Sequence, residues 1–116
     1  MECFHSGVVA SHNAFTGGYG LDCKRACVGG VKDLDMTVFH RFGMKWDETG
    51  YTFFIDGKED GHIDQYISKR PEFILISTEV KGYRHENHQP VPEAFDLIGK
   101  DVFIMDYVRV FDAVKE

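Results

Sequence analysis

The sequence contains few prolines, cysteines and tryptophans. It contains three prolines, three cysteines and one tryptophan among 116 residues. An odd number of cysteines leaves at least one unpaired unless chains are cross-linked, so we predict no disulfide framework. No apolar run is long enough to span a bilayer, and no signal peptide is visible. The sequence therefore predicts a globular domain and leaves its cellular compartment open.

Basic residues are also in deficit. Lysine and arginine number 13 against 19 aspartates and glutamates, which gives a net charge of −6. A nucleic-acid-binding protein needs a basic face to neutralise phosphates, and an anionic membrane also attracts basic segments. We therefore expect neither nucleic acid nor a membrane as a partner, whereas a neutral sugar polymer would be indifferent to this charge.

The residues that are abundant favour a β-rich globular chain. Hydrophobic residues make up 43% and aromatic residues 14%, including ten phenylalanines and five tyrosines. This composition argues against disorder and favours strands over helices. The length suits one domain, which we place at residues 1–116. Residues 1–37 are glycine-rich and look irregular, whereas residues 38–112 contain well-marked strand patterns.

The strand patterns rest on alternation and turn residues. Along residues 38–46, His40, Phe42, Met44 and Trp46 form one apolar face, which is typical of a half-buried strand. No segment carries an apolar helical stripe over three turns. The chain is therefore predicted to be all-β and antiparallel, as a sandwich or jelly roll. Four strands are predicted, at residues 38–46, 51–56, 73–80 and 102–111, with turns at residues 47–50 and at Asp56-Gly57.

Three stretches, in this order, carry a family resemblance. They are FHRFGMKWDETGYTFFIDGKE at 39–59, PEFILISTEV at 71–80 and MDYVRVFD at 105–112. Together they resemble glycoside hydrolase family 16, which contains laminarinase-, lichenase- and agarase-like enzymes. The resemblance implies an antiparallel β-sandwich of the concanavalin A-like jelly-roll type, present here as an incomplete C-terminal part. It also implies endo-type hydrolysis of β-linked glucan or galactan polysaccharide by a retaining mechanism, without a cofactor.

The resemblance also assigns a catalytic residue. The catalytic strand of the family reads Glu-x-Asp-x-x-Glu, and this chain begins Met1-Glu2-Cys3-Phe4. Aligned with the family, Glu2 is the general acid/base. Retaining hydrolysis needs two carboxyl groups roughly 5–5.5 Å apart, one to attack and one to donate a proton. The nucleophile and the assisting aspartate would precede residue 1, so we expect these residues by themselves to be inactive.

Further ligand contacts follow from the same resemblance. His12, Tyr19 and Glu79 are expected to line the sugar cleft, and Asp106 to ligate a structural calcium ion. Each has a plainer interpretation from the residues alone. His12 would be a surface histidine, Tyr19 would pack in a glycine turn, and Glu79 would be a strand-end charge that faces water.

Other features leave alternatives open. Trp46 suits core packing on its hairpin better than a sugar platform. Cys23 and Cys27, together with Cys3, His5 and His12, form only a weak zinc pattern, because structural zinc spacing is usually tighter and paired. The expected partners are β-linked poly- or oligosaccharides and a second copy of the chain, as a homodimer or strand-exchanged oligomer that covers unpaired strand edges. The alternative functions are a non-catalytic carbohydrate-binding sandwich and a remnant interaction module.

Overall fold

The computed structural model describes residues 2–4, 9–18, 22–78 and 102–113. Regular structure in these ranges is entirely β, and the strands form two antiparallel three-stranded sheets, in the order β1-β2-β3 and β4-β5-β6. The all-β antiparallel prediction is therefore confirmed for this part of the chain. The strands are β1 Glu2–Phe4, β2 Val9–Thr16, β3 Lys24–Lys32, β4 Phe42–Asp47, β5 Gly50–Ile55 and β6 Lys58–Ile63.

The first sheet (sheet A) corrects one expectation. Residues 1–37 look irregular in sequence, yet they supply β1, β2 and β3. The buried face of β2 carries the small residues Ala10 and Ala14, and Ala26 and Val28 of β3 also pack towards the core. Small side chains give a weak strand signal, because strand propensity favours β-branched and aromatic residues. Sheet pairing, rather than propensity, makes these segments strands.

The second sheet (sheet B) is a pair of tight hairpins, and both predicted turns are confirmed. Strand β4 ends at Asp47 and β5 begins at Gly50, whose φ of 142° suits glycine. Asp56 and Gly57 connect β5 to β6 with φ values of 52° and 79°, as expected for a two-residue hairpin loop of the I′ type. The strand predicted at 38–46 begins only at Phe42. A turn precedes it, in which Asp35 accepts hydrogen bonds from the backbone and hydroxyl of Thr37.

The core lies between the two sheets, which contact each other through β3 and β6. Its centre is Phe53 of β5, with Ile63 of β6 and Ala14 of β2. Strand β4 is at the far edge of sheet B, so its apolar face extends beyond this contact. Phe42, Met44 and Trp46 are consequently exposed, and the expectation of a half-buried β4 with Trp46 in the core is wrong.

The chain divides into two units, Met1–Glu72 and Phe73–Glu116. Both sheets belong to the first unit. In the second unit, residues 73–78 and 102–113 contain no strand, contrary to the predictions at 73–80 and 102–111. Both segments have strand-like sequences, but a strand also needs a hydrogen-bonded neighbour, and sequence propensity does not supply one.

Candidate functional site

Two strand irregularities bring a histidine and an aspartate together between the sheets. The register of β2 with β3 shifts between Ala10 and His12, opposite the glycine pair Gly29-Gly30. The register of β5 with β6 shifts between Phe53 and Phe54, which leaves Asp60 as the extra residue. A bulge bends its strand and re-aims a side chain. Here the bulge in β6 directs Asp60 of sheet B towards His12 of sheet A.

The resulting pair is close and well enclosed. His12 is 0% exposed, and its Nε2 lies 2.7 Å from Asp60 Oδ2. The imidazole also stacks on Phe53, with ring centroids 4.3 Å apart and planes 4° apart. Asp60 is partly accessible, so the carboxylate retains contact with solvent. This pair, the His12–Asp60 dyad, joins the two sheets by a polar contact through the core.

One atom of the dyad has no partner among the described residues. His12 Nδ1 is buried and accepts no hydrogen bond from any of them. Because the Asp60 carboxylate accepts a hydrogen bond, the proton of the neutral ring belongs on Nε2, and Nδ1 carries a lone pair. Burial lowers the pKa of His12, and the hydrogen bond to Asp60 offsets this only in part. The ring is therefore neutral at pH 7.

A glycine makes room for this contact. A Cβ atom at Gly29 would lie 2.5 Å from Asp60 Oδ2 and 2.6 Å from His12 Cδ2. Its φ of 83° also lies in the left-handed region that disfavours other residues. Gly29 is therefore required twice, by its backbone conformation and by the space that the dyad occupies.

The opposite face of sheet A is polar and half-buried at Ser11 and Asn13, and it becomes exposed at Phe15. Side chains alternate along β2, so Ser11, Asn13 and Phe15 lie on the face turned away from the core. Asn13 Nδ2 donates to Ser11 Oγ over 3.4 Å, and Phe15 is 38% exposed. Glu2 of β1 is in register with Ser11. We call the face defined by Ser11, Asn13 and Phe15 the outer face of sheet A.

A cavity begins at the end of this face. It has a volume of about 400 Å³, and Phe15 forms part of its wall. Tyr66 and Glu72 lie on the other side, and the backbone of Gly17 and Gly18 completes the wall. Aromatic rings beside a few polar groups are typical of small-ligand sites. The outer face and this cavity thus place aromatic and polar groups in succession.

Comparison of the chain with family models, curated proteins and solved structures found no match in any of the three. The assignment of the site therefore depends on its own geometry and on the motifs in the sequence. Within the described ranges there is also no helix with the length and apolarity that crossing a membrane requires.

Of the five residues predicted from the sequence, three lie within the described ranges. Glu2 lies on β1, in register with Ser11. His12 is fully buried against Asp60, so its interpretation as a surface histidine is wrong, and its side chain faces away from the outer face of sheet A. Asp106 lies in the second unit. Tyr19 and Glu79 lie outside the described residues.

Metal sites have little support in the described part of the chain. No group of three or more histidine, cysteine, aspartate or glutamate side chains is close enough there to hold a metal ion. Cys23 and Cys27 form no disulfide. Calcium prefers six or more oxygen ligands, and no carboxylate cluster around Asp106 is found among these residues. Calcium binding at Asp106 stays a prediction.

Reasoning from the sequence missed Asp60, Phe53 and Gly29. A signal for two of them was present, because Gly29-Gly30 and Asp60-Gly61 are glycine-containing pairs inside strands, where glycine often marks a bulge. The pairing of His12 with Asp60 had no such signal. The two residues are 48 positions apart and belong to different sheets.

A second histidine, His40, connects the loop before β4 to the β5–β6 turn. His40 Nδ1 lies 2.7 Å from Asp56 Oδ2, and Nε2 lies 2.7 Å from the backbone oxygen of Asp35. Both partners are acceptors, so both ring nitrogens carry protons in the most favourable state. The hydrogen bond to Asp56, followed by that to Asp35, raises the pKa of His40. The same contacts connect the loop to the β5–β6 turn.

We expect this contact to make stability depend on pH. The folded state holds a proton on His40 above the ordinary pKa of 6.5, whereas the unfolded state releases it. The contribution to stability is therefore complete below pH 6.5 and is lost as the pH rises through the raised pKa of the folded state. Urea midpoints measured from acidic to mildly alkaline pH should fall over this window in the wild type and fall less in His40→Gln.

Two further variants make this measurement specific. Asp56→Asn removes the main cause of the raised pKa of His40, so it should reduce the fall of the urea midpoint over the same pH window. Lys58→Gln changes an exposed charge in the same hairpin and serves as the control. An unchanged slope in both His40→Gln and Asp56→Asn would contradict the assignment.

Proposed function

We propose that these residues form a carbohydrate-binding β domain of the glycoside hydrolase family 16 type, whose two sheets belong to a concanavalin A-like jelly roll. The ligand would be a β-linked glucan or galactan chain bound across the outer face of sheet A. The observation that carries the proposal is the succession of a hydroxyl, an amide and an exposed aromatic ring on that face, at Ser11, Asn13 and Phe15. The three motifs at 39–59, 71–80 and 105–112 add the family resemblance.

The chemistry of this face suits a neutral sugar. Hydroxyl and amide groups both donate and accept hydrogen bonds, as a polyol requires. An exposed ring offers an apolar surface against which the C–H face of a pyranose packs. Ser11, Asn13 and Phe15 are uncharged, and Arg25, the register partner of Phe15 on β3, adds a guanidinium that can donate to sugar hydroxyls. The neighbouring cavity, with Tyr66 and Glu72, would continue the groove beyond Phe15.

Binding without turnover is the activity we propose for these residues by themselves. By the resemblance, Glu2 is the acid/base, and its register opposite Ser11 brings its position to the edge of the proposed groove. Hydrolysis with retention needs a second carboxyl group as nucleophile, and the resemblance assigns no residue within 2–116 to that role. Tyr19 and Glu79 would add sugar contacts, also by the resemblance alone.

The test separates binding from hydrolysis. We expect retention on insoluble β-glucan or agarose, and affinity for the soluble oligosaccharide about tenfold weaker in Phe15→Ala because a stacking contact is lost. Lys58→Gln, which changes an exposed residue on sheet B, should bind like the wild type. Absence of retention on all polysaccharides would refute the proposal. Release of reducing sugar that Glu2→Gln abolishes would instead establish hydrolysis.

We further propose that the chain self-associates through its second unit. Residues 73–78 and 102–113 carry a succession of large exposed apolar side chains, with Phe73 and Phe111 both 82% exposed. Exposed apolar surface of this extent favours association. Size-exclusion chromatography with light scattering should show a dimer or larger oligomer at micromolar concentration, and Phe111→Asp should weaken it. A monomer at that concentration would contradict this proposal and leave the binding proposal untouched.

A further inference from the structure

A second cavity lies beside the only tryptophan in the sequence. It has a volume of about 610 Å³, within the range of roughly 300–1,000 Å³ that small-molecule sites occupy. One wall is the end of β4 with the following turn, and the other is the segment after β6. Its lining residues are Trp46, Asp47, Glu48, Ile67, Ser68 and Lys69.

One hydrogen bond joins the two walls. Tyr51 pairs with Trp46 across the β4–β5 hairpin, and their rings are 5.9 Å apart. The Tyr51 hydroxyl accepts a hydrogen bond from the backbone N–H of Ser68 over 2.6 Å. Ser68 Oγ in turn donates to Glu72 Oε1 over 2.6 Å. The Tyr51–Ser68 hydrogen bond therefore connects the two walls, and Trp46, 39% exposed, is one of the lining residues.

The charges around this cavity balance. Asp47 Oδ1 accepts hydrogen bonds from Thr49, and Lys45 pairs with Asp47 Oδ2. The contact with Lys45, followed by those with Thr49, holds the pKa of Asp47 well below its usual range. Both carboxylate oxygens of Asp47 are therefore already engaged. Glu48 and Lys69 remain, and no hydrogen bond or ion pair to another described residue engages either of them. The cavity thus offers one anionic acceptor and one cationic donor.

We propose that the Trp46 cavity is a binding site for a neutral sugar ring. The pyranose C–H face would lie on the indole, while its hydroxyls donate to Glu48 and accept from Lys69. A flat apolar surface with one donor and one acceptor matches a polyol better than an ion, because a charged ligand would face one like charge. This site shares Ile67 and Ser68 with the cavity beside Phe15. Its proposed ligand groups Trp46, Glu48 and Lys69 belong neither to that cavity nor to the outer face of sheet A, so it stands even if that face binds nothing.

The single tryptophan allows a direct test. Titration of the wild-type chain with neutral laminari-, cello- and agaro-oligosaccharides should give a saturable change in tryptophan emission for at least one series. Glu48→Gln and Lys69→Gln alter exposed side chains and should fold normally. Each should weaken binding by about tenfold, as expected for the loss of a hydrogen bond to a charged group. Lys58→Gln, an exposed residue that does not line this cavity, should leave the titration unchanged.

Four outcomes would overturn the site. The first is an emission spectrum that no oligosaccharide changes. The second is a change that Glu48→Gln and Lys69→Gln both leave intact. The third is a response to choline but not to the sugars, since an aromatic ring beside a carboxylate also suits an organic cation. A change in emission on protein dilution alone would assign the cavity to a second copy of the chain and equally refute sugar binding.

Discussion

Replacing Gly29 with alanine should lower the free energy of unfolding by about 2–5 kcal/mol. The left-handed backbone conformation at φ 83° costs an L-residue roughly 1–2 kcal/mol. The new methyl group would also lie 2.5 Å from Asp60 Oδ2 and 2.6 Å from His12 Cδ2, and overpacking of this kind typically costs about 1–3 kcal/mol. Neither neighbour can retreat easily, because the two hold each other. Urea denaturation followed by circular dichroism measures the loss.

Gly18→Ala is the matched control for this variant. Its φ of 76° is nearly the same, but no described atom lies within 4 Å of the position its Cβ would take. Its free energy of unfolding should therefore fall only by the cost of the left-handed backbone conformation, roughly 1–2 kcal/mol. The difference between the two variants isolates the steric cost of disturbing the dyad. Equal losses would show that Gly29 is needed for its backbone alone.

Removing the carboxylate of the dyad should have the second large effect. Asp60→Ala leaves the buried Nε2–H of His12 without its acceptor, and an unsatisfied buried donor costs about 1–3 kcal/mol. Asp60→Asn keeps an acceptor oxygen in place, so it should cost less. Chemical denaturation at pH 7 measures both. A denaturation midpoint for Asp60→Ala equal to that of the wild type would show that the dyad does not stabilise the folded state.

A double variant tests whether the two residues act together. In His12→Leu/Asp60→Ala both polar partners are gone, so the buried unsatisfied group is gone too. We expect the double variant to lose less than the sum of the two single variants, by about 1 kcal/mol or more. Strict additivity would show that His12 and Asp60 contribute independently, despite their short separation.

The dyad also has a pH signature, opposite in sign to that of His40. Because the folded pKa of His12 is lowered, the unfolded state binds a proton below pH 6.5 that the folded state does not. Stability therefore falls as the pH falls from 6.5 through the lowered folded pKa. Asp60→Ala should steepen this acidic limb, since the hydrogen bond that opposes the effect of burial is then lost.

The parts of the fold that were predicted correctly are local. The turn at 47–50 and the Asp56-Gly57 loop were read from residues that tolerate positive φ, a property of the chain within a few residues. The strand at 51–56 and the apolar face of β4 follow from alternation over a few positions. The position of β4 at the edge of its sheet, and hence the exposure of Phe42, Met44 and Trp46, is not a local property.

The candidate sites divide in the same way. The family motifs drew attention to Glu2 and His12, but alternation along a strand cannot say which face will be covered. Sheet B covers the face that carries Ala10, His12 and Ala14, so His12 became a buried partner of Asp60. The neighbouring Ser11 and Asn13 lie half-buried on the opposite face. The aspartate itself could not be predicted, since no rule of spacing relates residues of two different sheets.

The sequence by itself determined the β class, the two hairpin turns of sheet B and the acidic net charge, because propensity, turn conformation and charge are properties of short stretches or of composition. Only the tertiary structure decided that the glycine-rich first third forms a sheet, that two bulges join His12 to Asp60, and that Trp46 faces a cavity. Burial and pairing depend on which surfaces meet, and that is fixed by the packing of whole sheets.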